Sequence, residues 1–233
     1  MSEKEMALKL FDRHFICVFC KERKRAGDEY IKTGDIGICK DCRKAVGENA
    51  RMQPFPGKRD TAFLLTPFEY KEPLRDVIIN YKFKNCRAYA PLLGEMMKDY
   101  LLSFDIWQDV DMIIPVPLHE KRFKERGYNQ AELLAEYVSR YASVPMNTTV
   151  LTRVRNTMRQ SGLKGTDRIT NVAGAFECGE DVRDKVIVLF DDIYTTGNTI
   201  QSCAAPLKVA GAYRICAVTL AKHVFEKNPA AMY

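Results

Sequence analysis

From Phe63 onward, short apolar runs alternate with stretches in which apolar positions recur every three or four residues. Ala62 to Thr66 reads as a strand. Within Pro73 to Phe83, Leu74, Val77, Ile78 and Tyr81 fall at helical spacing, and Pro73 suits a first turn. Ala90 to Leu102 is a second amphipathic helix, Met112 to Val116 a strand, and Gln130 to Tyr141 a helix with Leu133, Leu134, Tyr137 and Val138 on one face. Thr148 to Leu151 and Ala175–Phe176 read as short extended pieces and Thr166 to Ala173 as a helical turn. Strand Val186 to Phe190, helix Asn198 to Ala210 and strand Arg214 to Leu220 close the pattern. Strands alternating with helices predict an α/β fold, a mostly parallel sheet with helices on both faces.

The first fifty residues follow another rule. Cys17-x-x-Cys20 and Cys39-x-x-Cys42 make two knuckles, with turn residues Gly27, Gly34 and Gly37 between them. Pro54, Pro56 and Gly57 then mark a linker. The organisation expected is a small module over 1–50, a linker over 51–62 and the α/β domain over 63–233.

Composition narrows the chemistry of those cysteines. The chain has 233 residues, 46% of them apolar, which suffices for one core plus a small module. No apolar run is long enough for a bilayer, and Met1 to Met6 is charged with no long apolar stretch behind it, so a cytoplasmic protein without membrane insertion is expected. In that compartment the eight Cys are metal ligands or buried thiols rather than disulfides. Cys17, Cys20, Cys39 and Cys42 fit a structural four-thiolate zinc ribbon, the alternatives being a redox dithiol or a nucleic-acid finger. Cys203 and Cys216 lie on apolar segments and read as core thiols. The net charge of +6 permits a polyphosphate or nucleic-acid partner without requiring one.

Chemistry concentrates where the strand at Val186 ends. The apolar run stops at Asp191 and Asp192 and passes into Thr195, Thr196, Gly197, Asn198 and Thr199 before the helix. Open α/β sheets bind ligands beyond such strand ends. Backbone amides and hydroxyls at a helix N-terminus seat a phosphate, and paired carboxylates can accept hydrogen bonds from a vicinal diol. A diol beside a phosphate describes a ribose 5-phosphate. The bland alternative is an Asp-rich turn. A second cluster follows Met112 to Val116: Pro117, His119, Lys121, Arg122, Lys124 and Arg126, closed by Gly127. It suits a polyphosphate, or is a solvated charged turn. A third basic stretch, Arg153 to Lys164 with Arg155 and Arg159, contains Gly162 and reads as a mobile loop that closes over a charged donor or binds nucleic-acid phosphates.

The Asp191 to Thr199 segment resembles the phosphoribosyl pyrophosphate motif of type I phosphoribosyltransferases. Taken whole, the chain resembles the ComF/ComFC family of bacterial competence proteins: the four-cysteine ribbon, Pro115-Val-Pro-Leu-His119, Arg122, Arg126-Gly-Tyr-Asn-Gln130, Arg153, Gln160-Ser-Gly-Leu163, Arg168, Asn171, Gly174-Ala-Phe176, the acidic motif and Gly211-Ala212. The resemblance implies a type I phosphoribosyltransferase-like domain behind a zinc ribbon. It implies that Asp191, Asp192, Thr195, Thr196, Gly197, Asn198 and Thr199 bind phosphoribosyl pyrophosphate with Mg²⁺. Arg122, Arg126, Arg153 and Arg159 would meet pyrophosphate or DNA phosphates. It further implies handling of single-stranded DNA during natural transformation, beside a DNA-translocating helicase. In relatives that salvage 6-oxopurines an acidic residue stands where this chain has Thr195, which counts against that reaction. Three functions follow: a phosphoribosyl pyrophosphate-binding protein of DNA uptake, an active phosphoribosyltransferase for nucleotide salvage or another acceptor, and a zinc-ribbon adaptor for a helicase without catalysis.

Overall fold

The structure is a computed structural model and describes residues 14–25, 27–47, 54–155 and 174–223. Around the cysteines, β1 (His14–Cys17), β2 (Arg23–Arg25), β3 (Glu29–Thr33) and β4 (Ile36–Cys39) form a sheet of order β2-β1-β4-β3. Only β1 and β4 run parallel in it. Helix α1 (Lys40–Gly47) starts directly after β4. Phe15, Ile38 and Val46 face inward and join the core of the larger domain, on which Tyr30 and Ile31 of β3 also pack.

The rest of the chain contributes β5 (Phe55–Pro56), β6 (Phe63–Leu65), β7 (Phe68–Glu69), α2 (Leu74–Phe83), α3 (Tyr89–Leu102), β8 (Met112–Pro115), α4 (Glu120–Arg126), α5 (Gln130–Ala142), β9 (Leu151–Arg153), β10 (Phe176–Cys178), β11 (Val186–Tyr194), α6 (Asn198–Val209) and β12 (Arg214–Lys222). The main sheet has the order β5-β6-β12-β11-β8, with β7 continuing the edge of β6 along β12. All its pairings are parallel except β5 on β6. Phe55 and Pro56 therefore lie on the sheet margin, where a missing N–H is tolerated.

Strand alternation sorts the core into two layers. Val188 and Phe190 of β11 and Val218 and Leu220 of β12 face α2, α3 and α5. Ile187 and Leu189 of β11 and Ile215 and Ala217 of β12 face α6 and the β9–β10 hairpin. The α/β fold with helices on both faces, expected above, is thus what the chain adopts.

Three elements differ from the pattern read in the sequence. Strand β11 does not stop at Phe190. It runs through both acids to Tyr194, because β12 keeps supplying partners: Asp191 faces Thr219, Ile193 faces Ala221 and Tyr194 faces Lys222. The basic run after β8 is a helix, α4, started by the His119 side chain accepting from the Lys121 amide at 3.2 Å and stopped at Gly127. It buries no side chain, so it carries no apolar period to read. Strand β9 begins at Leu151, where the extended piece Thr148 to Leu151 was expected to end. The helical turn expected over Thr166 to Ala173 lies outside the described residues.

Helices α3 and α5 cross closely at Gly94. A Cβ there would lie 2.7 Å from Cβ of Tyr137. Gly94→Val is accordingly expected to destabilise the fold by about 1–3 kcal/mol through overpacking. Urea unfolding checks this, and an unchanged midpoint would show that the crossing can widen freely.

Candidate functional site

Strands β8 and β11 are parallel neighbours, with Phe190 opposite Pro115. The helices that follow them leave on opposite faces: α5 packs in the α2 and α3 layer, α6 in the other. That is a topological switch point, and it opens a crevice at the carboxyl ends of both strands. Beyond Phe190, β11 has β12 on one side, while the β8 edge is released after the Val116 amide bonds Phe190 O at 2.8 Å.

Asp191 and Asp192 occupy this overhang. Alternation sends them apart. Asp192 is buried and takes an ion pair from Lys82, at the end of α2, at 2.8 Å. Asp191 lies on the α6 side, within the fields of Cys203 of α6 and Arg153 of β9. Its carboxylate accepts from the Asp192 amide at 2.9 Å. Burial and then the charge of Asp192 push the Asp191 carboxyl up to about 7, against the pull of Lys82, the Asp192 amide and Arg153. The two acids are therefore not equivalent: Asp192 is paired with Lys82, and Asp191 is the one whose carboxyl is raised.

Thr195, Thr196 and Gly197 turn the chain from β11 into α6, and Asn198 and Thr199 begin the helix. Gly197 has φ of +82°, and a Cβ would fall 2.2 Å from the Tyr194 hydroxyl oxygen, so only glycine fits. As N-cap it offers no side-chain acceptor of its own to the first turn of α6. The Thr196 hydroxyl oxygen is buried and has no hydrogen-bond partner among the described residues. Both features suit an anion. The segment 58–61 braces this loop: Lys58 Nζ donates to Thr196 O at 2.9 Å, and the Asp60 amide donates to Gln201 Oε1 at 3.2 Å.

The cations approach from the β8 side. Arg122 and Arg126 lie four residues apart, hence on one face of α4. Arg126 bonds Gln130 Oε1 at 2.7 Å and covers the Phe83 ring at 5.0 Å. Arg153 is held below the usual arginine range by burial, with Asp191 opposing and Arg126 adding to the effect. Of the residues singled out in the sequence, the acids, the Thr195 to Thr199 turn, Arg126 and Arg153 thus come together, with Arg122 one turn along α4. Arg159 lies outside the described residues. Lys82 and Lys58 were not anticipated. Lys82 did leave a signal: it falls four residues after Ile78, on the buried stripe of α2.

The second site is the cysteine cluster. The four thiol sulfurs of Cys17, Cys20, Cys39 and Cys42 lie within 4.8 Å of one another. Cys17 ends β1, Cys39 ends β4, and Cys42 sits in the first turn of α1. Burial raises the Cys17 thiol, but the amides of Cys39, Cys20 and Phe19 outweigh it and bring it to about 7. A thiol poised to lose its proton, three more within reach and amides pointing at sulfur together fit a metal ion such as zinc. Cys203 and Cys216 are buried, as read in the sequence.

Among the described residues no helix is long and apolar enough to cross a membrane. No family model matches the chain. Competence protein F of Haemophilus influenzae is 34% identical over 224 residues, covering 87% of this chain and 94% of that protein. The DNA utilization protein YhgH of Shigella flexneri is 29% identical over 201 residues, covering 78% and 88%. Among solved structures, a purine phosphoribosyltransferase from Pyrococcus horikoshii aligns with a TM-score of 0.32 and 17% identity over 60% of this chain and 75% of that one. That likeness is too weak to define the fold, which rests on the strand order itself. Identity above 30% along nearly the whole length places the chain in the competence protein F (ComF) family.

Proposed function

We propose that the crevice at the ends of β8 and β11 binds phosphoribosyl pyrophosphate with Mg²⁺, and that the protein serves DNA uptake in natural transformation. One observation carries the reading: the α6 turn, with no side-chain cap from Gly197 and a buried Thr196 hydroxyl, follows Asp191, while Arg126 lies on the helix after β8 and Arg153 of β9 lies on the α6 side within the field of Asp191. A phosphate, a ribose diol and a pyrophosphate find their complements in that order. Asp191 takes the diol once ionised, Asp192 stays with Lys82, and Arg122, Arg126 and Arg153 meet pyrophosphate. The four cysteines hold a structural zinc ion. The relatives' names, competence protein and DNA utilization protein, support the cellular role.

Calorimetric titration with phosphoribosyl pyrophosphate and Mg²⁺ tests the donor site. Saturable binding by the wild type and none by Asp191→Ala/Asp192→Ala is expected. No heat from the wild type would remove the donor reading. Because Asp191 loses its proton near about 7, donor affinity is expected to weaken as pH falls below that value.

A second reading, contact with single-stranded DNA, is favoured by a specific surface. Helix α4 exposes Lys121, Lys124 and Phe123, and Phe83 is exposed beside Arg126. Cations beside exposed rings suit phosphates and stacked bases of one strand. Steep salt dependence of oligonucleotide binding in the wild type, with weaker affinity and a shallower salt slope in Lys121→Ala/Lys124→Ala, supports it, and unaltered affinity removes it.

A further inference from the structure

We infer that Gln130 is a positioning residue of the crevice, holding the Arg126 guanidinium where a pyrophosphate-like anion meets it. The ligand class rests on the donor reading above. The positioning rests on the hydrogen bonds of the Arg126-Gly-Tyr-Asn-Gln130 segment, which joins the end of α4 to the start of α5.

Helix α4 cannot fix Arg126 by itself. It has seven residues and buries none of their side chains. A helix of that length is unstable in water without tertiary support. Arg126 and Gln130 lie four positions apart, but Gly127, with φ of +74°, separates their helices, so they do not pair along one helical face. A buried amide makes the contact instead. Gln130 Oε1 accepts from Arg126 at 2.7 Å, and Gln130 Nε2 donates to Tyr128 O at 3.4 Å. A guanidinium only donates, so the amide must turn its oxygen to Arg126, and the Tyr128 carbonyl takes the nitrogen. A bond from a charged donor is among the stronger ones a protein makes. The Phe83 ring, 5.0 Å from Arg126 Cζ, adds a second contact.

The rest of the segment anchors Gln130. The Tyr81 hydroxyl donates to Gln130 O at 3.0 Å, and the Tyr128 hydroxyl donates to Tyr81 O. Asn129 Nδ2 donates to Val116 O at 3.1 Å, and Asn129 Oδ1 accepts from the Ala131 amide at 3.1 Å. Arg87 donates to Gly127 O and lies 4.8 Å from the Tyr128 ring centroid. The chain just past β8, the last turn of α2 and the first turn of α5 are thereby joined. Tyr81 precedes Lys82, so the same assembly holds the backbone from which Lys82 reaches Asp192. Arg126 and Arg153 lie within each other's fields. Like charges so placed repel unless something holds them, and once held they favour an anion that carries more than one charge.

A double-mutant cycle, read by calorimetry with inorganic pyrophosphate and Mg²⁺, tests the role. Saturable binding is expected with the wild type, weakened about tenfold or more in Arg126→Ala. Gln130→Met keeps the length of the side chain and removes both amide bonds, and is expected to weaken binding about fivefold or more. In that background Arg126→Ala is expected to cost less than about twofold further, because a displaced guanidinium has little left to lose. Gln130→Glu keeps an oxygen toward Arg126, and there Arg126→Ala should cost at least as much as in the wild type. A merely structural glutamine would lower the urea midpoint and leave the cost of Arg126→Ala equal in every background. That equality would overturn the inference. So would wild-type affinity in Gln130→Met, or no pyrophosphate binding by the wild type. Should Gln130→Met fail to fold, Gln130→Asn, one methylene shorter, takes its place in the cycle. Phosphoribosyl pyrophosphate is titrated separately into the same proteins. Coupling with pyrophosphate but no heat from phosphoribosyl pyrophosphate would fell the donor reading alone. Donor binding lost in Asp191→Ala/Asp192→Ala, with additive effects at Gln130 and Arg126, would fell the positioning role alone.

Discussion

Stripping metal from the protein with a strong chelator is expected to unfold the module of β1 to β4 and α1 while the main sheet stays folded. The module has little else to hold it. Its strands are three to five residues long and α1 has eight, short of what stands alone in water. Its inward side chains are few, chiefly Phe15, Val18, Phe19, Ile38 and Val46. A structural zinc ion contributes about 10–16 kcal/mol in small modules, as much as the whole net stability of a typical domain. Without it, the buried sulfurs of Cys17 and Cys39 lose the ion on which the four thiols converge. Hydrogen exchange checks the outcome. Amides from Phe15 to Val46 should lose protection, and α3 should loosen where Tyr30 and Ile31 cover it. Strands β11 and β12, buried beneath α6 and α2, should remain protected. Full protection in protein shown to be metal-free would mean that packing alone carries the module.

The second large effect is expected from Lys82→Met. Lys82 holds Asp192 at 2.8 Å, with the two side chains 18% and 9% exposed. Removing one partner of a buried pair leaves an uncompensated charge and costs about 3–5 kcal/mol. The loss depends on pH with a definite sign. Folding raises the Asp191 carboxyl to about 7, so its protonated form favours the native state. That contribution is complete below the ordinary carboxylate range and is lost as pH rises through about 7. Lys82 is the strongest of the groups that counter this rise. Without it the deficit grows with pH: smaller near about pH 5, where Asp191 is protonated and adds no second charge beside Asp192, and larger near about pH 8. Urea midpoints of wild type and variant at the two pH values provide the measurement. A deficit equal at both would show that the methylene stem of Lys82 matters and its charge does not. Asp192→Asn in the variant background should restore most of the stability, because it removes the stranded charge.

Much of this protein could be read from the chain. Periodicity of 3.6 placed α2, α3, α5 and α6 within a residue or so, since each buries a stripe of its own. Apolar runs placed β8 and the start of β11, because a strand covered on both faces has no polar alternation to blur it. Paired knuckles identified the four cysteines, and those sulfurs do converge. All these signals are local, and the residues that carry them solve their own hydrogen-bonding or burial within one element.

Tertiary structure decided what depends on neighbours distant in the chain. The length of β11 beyond Phe190 comes from β12, whose residues Thr219 to Lys222 complete the ladder for Asp191 to Tyr194. The opposite facing of Asp191 and Asp192 follows from that extension, for in a turn the two carboxylates would not alternate. Lys82 meets Asp192 across 110 positions, and Lys58 meets Thr196 across 138. Helix α4 stayed hidden because it buries nothing and is set by its caps. The sequence alone determined which elements form and which residue types could bind a phosphate, a diol or a metal. The packed sheet determined which of them share a site, because burial and strand pairing, not adjacency in the chain, choose the partner of each charge.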